Sequence, residues 1–159
     1  GRRPRRIMPQ MTLRTTLLRH QPQPGGPEPH FDWLLEPDET DGDPERRDVS
    51  TWRCHIRPDR LEIGESAVLA PIAPHRRAWL DARIHASRSL SPPLGSATVI
   101  DRGVVEPAGT VPLEIRISWS QSTKVHRLRI EESTPGRHVV LRLADPSDSS
   151  TPDGSLDPS

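Results

Sequence analysis

The 19 prolines of this 159-residue chain leave few stretches in which an α-helix can run, because an internal proline removes a backbone donor and collides with the turn before it. The apolar positions point the same way. In VPLEIRISWS, residues 111–120, Val111, Leu113, Ile115, Ile117 and Trp119 alternate with Glu114, Arg116 and Ser118, the period of two that marks a strand with one buried face. KVHRLRIEE (124–132) and RHVVLRL (137–143) alternate likewise, and the STPG between them reads as a hairpin turn. Further strand candidates lie at 12–20, 30–36, 50–57, 66–72, 78–84 and 96–103. So many short strands with Pro/Gly punctuation predict an all-β fold, a small closed or partly closed antiparallel β-barrel with few short helices.

Composition bounds what such a fold can include. The hydrophobic fraction is 31 % and the mean hydropathy −0.68, against roughly 45–50 % apolar residues in an average globular domain. Part of the chain therefore belongs outside any core: a flexible N-terminal extension over 1–10, a barrel domain over 11–143, and a Pro/Ser/Asp-rich disordered tail over 144–159. DETDGDPERRD (38–48) reads as a solvated charged loop. Lys+Arg and Asp+Glu both number 22, for a net charge of zero, which removes the bulk-charge argument for a nucleic-acid binder and leaves a local arginine patch as the route to one. A single cysteine, Cys54, excludes an intrachain disulfide and a multi-cysteine zinc site. No apolar run approaches the ~20 residues of a membrane span, and the basic opening lacks the apolar core of a signal peptide. The expectation is a soluble, cytoplasmic protein with no membrane partner.

Chemistry concentrates in HFDWLLE. Alternation puts Phe31, Trp33 and Leu35 on one face and His30, Asp32, Leu34 and Glu36 on the other. His30 and Asp32 then point the same way, ~6–7 Å apart along the strand, an imidazole and a carboxylate able to share one divalent ion such as manganese, zinc or iron. A lone His-x-Asp also arises by chance on polar strand faces. Its company adds weight: His20 ends the preceding strand and His75 precedes AWLDARI. Arg53, His55 and Arg57 share one face of STWRCHIR, opposite Trp52 and Cys54. Trp33, Trp52 and Trp119 read as core, and Trp79 falls next to the presumed site.

Taken in order, LLRH, HFDWLLE, STWRCHIRP, APHRRAWLD and GSATVIDRG resemble the 3′-phosphoesterase domain of bacterial DNA ligase D and its stand-alone relatives, over residues 17–143. The resemblance implies a compact barrel that binds manganese, with zinc as the other metal the donor set suits. It also implies removal of a terminal ribonucleoside or 3′-phosphate from DNA ends in repair, beside a separate ligase or polymerase. On that resemblance His20, His30 and Asp32 match the metal ligands, and His75 matches the histidine that contacts the phosphate. His75, His30 and Asp32 form the implied catalytic set, with Arg57, Arg53 and Arg76 as further phosphate-binding candidates. The chain departs from the pattern at four places. Leu34 and Ala67 stand where the family has phosphate-binding arginines, Trp79 replaces a tyrosine, and Ile56 occupies the register of a lysine. Those departures open a second reading, a metal-binding barrel that recognises nucleic-acid ends or a repair partner without cutting. A third, the two-histidine, one-carboxylate triad of iron(II) oxygenases, leaves His20, the Ser-Trp block and GSATVIDRG without a role.

Overall fold

A computed structural model describes residues 12–37, 43–110 and 112–145. The expected flexible opening, residues 146–159 of the expected tail and residues 38–42 of the charged loop lie outside the described residues. The chain forms β1 (Leu13–Gln21), β2 (His30–Leu35), β3 (Arg47–Cys54), β4 (Ser66–Arg76), β5 (Ser87–Ser89), β6 (Ser96–Thr110), β7 (Leu113–Trp119), β8 (Val125–Thr134) and β9 (Arg137–Leu143), with short 3-10 turns at Pro58–Arg60 and Arg77–Leu80. Eight strands pair in the order β1-β2-β3-β4-β9-β8-β7-β6, and β6 returns to β1, so the antiparallel barrel is closed; β5 pairs with β6 outside it. Closure removes the unpaired edges that would otherwise template aggregation. Among the described residues no helix is long and apolar enough to cross a membrane.

The alternating residues fill the barrel as their period demands. Leu17, Leu69, Ile117 and Leu128 are fully buried in one interior cluster around Trp33, whose ring centroid lies 5.4 Å from that of Trp52 and 6.2 Å from that of Trp119. The Trp33 indole N–H donates to Thr15 Oγ1 at 2.8 Å, and that hydroxyl donates to the Leu34 carbonyl at 2.6 Å, so the core tryptophan has no stranded donor. At the β8–β9 hairpin Pro135 precedes Gly136, whose φ of +76° supplies the left-handed residue of the turn.

A second apolar layer lies on the outer wall. Leu18, Leu34, Val49, Ala97 and Val99 face outward from β1, β2, β3 and β6 and are still buried, because Leu80 and the partly buried Trp79, Ala82, Ile84 and Ala86 pack over them. This corrects one expectation: 78–84 is not a strand. Its backbone turns instead, with Asp81 N–H donating to Ala78 O at 3.2 Å. The segment is tied down from outside by Thr16 Oγ1 donating to Trp79 O at 3.1 Å and Arg102 Nη2 donating to Leu80 O at 2.9 Å. The alternation of Ala78, Leu80, Ala82 and Ile84 reflects contact with the apolar wall, not a ladder. The expected run over 50–57 also stops early: β3 ends at Cys54, and Arg57 leads into the turn that begins at Pro58.

Leu80 is fully buried where the 77–90 segment meets the wall, so Leu80→Ala is expected to lower unfolding free energy by about 2–5 kcal/mol. Val68→Ala, at a half-exposed outer position (50 %), should stay within about 0.5 kcal/mol. Urea denaturation of the two variants checks this; equal losses would mean that Leu80 does not anchor the segment.

Candidate metal centre

Strand register assembles the site. His20 lies opposite His30 and Leu18 opposite Asp32 across β1 and β2, while Arg53 lies opposite Asp32 across β2 and β3. Directly opposed residues of antiparallel strands share a face, here the outer wall. His20, His30 and Asp32 are all buried, at 7 %, 2 % and 5 % exposure.

Their polar atoms converge. His20 Nδ1 lies 2.7 Å from His30 Nε2, which lies 3.2 Å from Asp32 Oδ1, and one ligand atom from each residue falls within 4.8 Å of the others. The opposite ring nitrogens face carbonyls: His20 Nε2 is 2.8 Å from Leu94 O, and His30 Nδ1 is 2.8 Å from Glu28 O. A carbonyl can only accept, so those two nitrogens carry the ring protons and the converging nitrogens present lone pairs. Asp32 Oδ1 adds a buried acceptor with no hydrogen-bond partner. With both rings neutral, three acceptors thus meet with no donor among them, an arrangement that a proton or a metal ion satisfies. The group could hold a metal ion, and the two carbonyls are the outer partners that orient histidine ligands. Burial holds the His30 pKa below its ordinary value, against the opposing pull of the Glu28 carbonyl and the Asp32 charge. The neutral, ligating form is favoured.

Two loops deliver those carbonyls. Residues 22–29, carrying Glu28, pack against 91–95, carrying Leu94, and Gln23 N–H donates to Pro93 O at 2.9 Å. The approach needs glycine on both sides. A Cβ on Gly26 would lie 2.4 Å from Pro93 O, and one on Gly95, at φ +78°, would lie 1.9 Å from Gln21 O.

His75 joins the cluster from the end of β4, its Nε2 3.3 Å from Asp32 Oδ2 at 23 % side-chain exposure. The carboxylate therefore links the acceptor group to an imidazole that reaches solvent. A cleft of about 610 Å³ opens above them, lined by His20, Asp32, His75 and Trp79. Arg47, Arg53, Arg76 and Arg88 stand in its walls, and Asp32 is the one acid among the described residues lining it.

Of the residues singled out in the sequence, the structure brings together His20, His30, Asp32, His75, Arg53 and Arg76. It does not bring Arg57, whose fork is closed on Asp59 through Nε–Oδ1 at 3.0 Å and Nη2–Oδ2 at 2.7 Å. Burial works against the Asp59 charge, and the Arg57 fork outweighs it, holding that carboxyl below its usual range. Arg57 is thus an internal counter-ion. Position 34 is fully buried in the outer apolar layer, and position 67 faces the barrel interior, so neither residue lines the cleft. Arg47 and Arg88 were not foreseen. Arg47 was readable, since Arg47, Val49, Thr51 and Arg53 alternate along one face; Arg88 sits on the three-residue β5, too short to leave a pattern. No family model matches the chain, and no curated protein matches it.

Unfolding lets His30 and His126, both held below the ordinary histidine range first by burial, bind protons that the folded state resists. The unfolded state then carries more protons, so metal-free stability should fall as pH drops below about 6.5. Manganese or zinc at a hundred times its Kd should add about 2.7 kcal/mol, read as a rise of several degrees in Tm that His30→Ala abolishes. Thermal melts between pH 5 and 8, with and without metal, test both; a pH-independent Tm or an unchanged shift in His30→Ala would contradict the assignment.

Proposed function

We propose that this protein is a divalent-metal-dependent phosphoesterase acting on nucleic-acid 3′ ends in repair, removing a terminal ribonucleoside or a 3′-phosphate ahead of a separate ligase or polymerase. The observation that carries the reading is the meeting of three acceptors, His20 Nδ1, His30 Nε2 and Asp32 Oδ1, with His20 and Asp32 lining a cleft whose walls hold four arginines and His30 buried behind them. His20, His30 and Asp32 would hold the ion, manganese by the resemblance. A bound divalent ion supplies Lewis acidity to a phosphoryl oxygen and lowers the pKa of water.

The remaining chemistry belongs to the chain. His75 lines the cleft with Nε2 3.3 Å from Asp32 Oδ2 and Nδ1 3.3 Å from Ala73 O, long contacts that a departing oxygen can displace to take a proton from the ring. The arginines offer the charge-assisted bonds that phosphates accept. Trp79, Leu90 and Leu94 give one wall an apolar surface, which suits the face of a base or sugar.

A second reading is favoured by one observation: neither Leu34 nor Ala67, where the resemblance places phosphate-binding cations, reaches the cleft. On that reading the barrel grips an end and does not cut it.

The deciding assay presents a primer-template with a 3′-terminal ribonucleotide or a 3′-phosphate to the manganese-loaded protein, beside His30→Ala and His75→Ala. Wild-type protein should cleave, His30→Ala should be inactive and unresponsive to metal, and His75→Ala should lose about 10²–10⁴-fold in kcat. A folded, manganese-binding wild type that cleaves neither substrate would give the end-binding reading its place.

A further inference from the structure

Among the described residues Arg53 has no counter-ion. It lies directly opposite Asp32 on the outer wall, where Asp32 Oδ1 is 3.2 Å from His30 Nε2 and Oδ2 is 3.3 Å from His75 Nε2. Its Nε is sealed from solvent and has no hydrogen-bond partner. The Nε of Arg129 and of Arg142 is likewise without a partner, but those side chains reach an acceptor through another nitrogen, on Glu114 and on Leu61 O, as Arg57 does on Asp59, Arg14 on Glu36 and Arg127 on Glu114. A guanidinium N–H buried without an acceptor is costly, and Arg53 lines the cleft, where a ligand can bring acceptors to the guanidinium.

Register says where that ligand sits. Leu18, Asp32, Arg53 and Ala70 form one row across β1 to β4, and Arg88, Ala97, His20 and His30 form another across β5, β6, β1 and β2. The acceptor group is therefore bracketed by a guanidinium on each side. Arg53 is one strand from Asp32, and Arg88 is two strands from His20 across the small Ala97. The neighbour of Arg53 on β4 is the small Ala70.

We propose that Arg53 is the phosphate clamp of this cleft, holding from β3 the oxyanion that contacts the metal. Position 34 on β2 cannot supply that cation, because it is sealed beneath the 77–90 segment. The inference rests on the reading of the cleft as a phosphoester site. It deepens that reading by assigning the binding of the reacting phosphoryl group to one residue. The planar fork presents two parallel donors to a tetrahedral oxyanion, and Arg88, more exposed, is left for a neighbouring phosphate of the same strand.

The test measures inorganic phosphate binding to manganese-loaded protein by calorimetry, in the wild type and in Arg53→Ala, Arg53→Gln and Arg53→Lys. Manganese binding is followed separately by electron paramagnetic resonance. Arg53→Ala and Arg53→Gln should weaken phosphate about 10- to 100-fold while still binding manganese, and Arg53→Lys should recover part of the loss. Arg53→Gln keeps most of the stem, so the comparison survives if the alanine variant folds poorly. Where oligonucleotides are cleaved, kcat/KM should fall by a similar factor. Phosphate binding that depends on Arg53 in a protein that cleaves nothing would support the clamp and remove the catalytic reading. Wild-type phosphate affinity and wild-type kcat/KM in Arg53→Gln would overturn the clamp and leave the catalytic reading standing.

Discussion

Leu17 and Leu18 are neighbours in sequence and both have no exposed surface. On a strand, consecutive side chains point to opposite faces, so full burial of both requires that β1 be covered on two sides. The barrel interior covers Leu17, and the 77–90 segment covers Leu18. Both edges of β1 are also occupied, by β2 and β6. Opposite this pair of leucines β6 carries a bulge, its register stepping from Asp101 to Val99, and such an extra residue sharpens local twist. The strand that closes the barrel is thus the strand that carries His20 near its end, and the rigidity of the closure passes directly to the site.

That rigidity matters because the acceptor cluster is electrostatically unfavourable on its own. Two imidazole lone pairs at 2.7 Å and a partnerless carboxylate oxygen repel one another unless a proton or a metal ion lies among them. Strand pairing fixes where the side chains start, and the Leu94 and Glu28 carbonyls fix how the rings turn. The loops that supply those carbonyls touch at Gly26 and Gly95, where any side chain would collide with backbone oxygen. The loop between His20 and His30 is therefore part of the site's support.

Much of this was legible before folding. Period-two alternation located eight barrel strands and placed His30 and Asp32 on a common face, because both properties depend only on neighbours along the chain. What alternation cannot distinguish is a strand from an apolar strap laid over a wall, and 78–84 is such a strap. Nor can spacing say which face is covered or what an arginine meets across the fold. Arg57 and Arg53 lie four residues apart and looked equivalent; one is consumed by Asp59 and the other opens on the cleft. Ala67 and Leu34 matched clamp positions by count, yet one points into the core and the other lies beneath Leu80. These distinctions arise from cross-strand register and from the 77–90 segment, neither of which is local in sequence.

The neutral net charge, which argued against an anion-binding protein, reads differently once charges have places. Glu36, Asp48, Asp59 and Glu114 are each paired with arginine away from the cleft floor. Those pairs absorb acidic charge where it has no reach into the cleft. Inside the cleft the balance is reversed: among the described residues four arginines, of which Arg76 lies 3.6 Å from Glu45, and two histidines line it against the single carboxylate of Asp32, which is itself turned toward His30 and His75. Since fields from paired, solvent-screened charges fade within about 8–10 Å, an anion entering the cleft meets the local excess of cations and not the chain's zero sum. Segregation of sign, helped by pairing several acids elsewhere, is how a neutral chain presents a positive site.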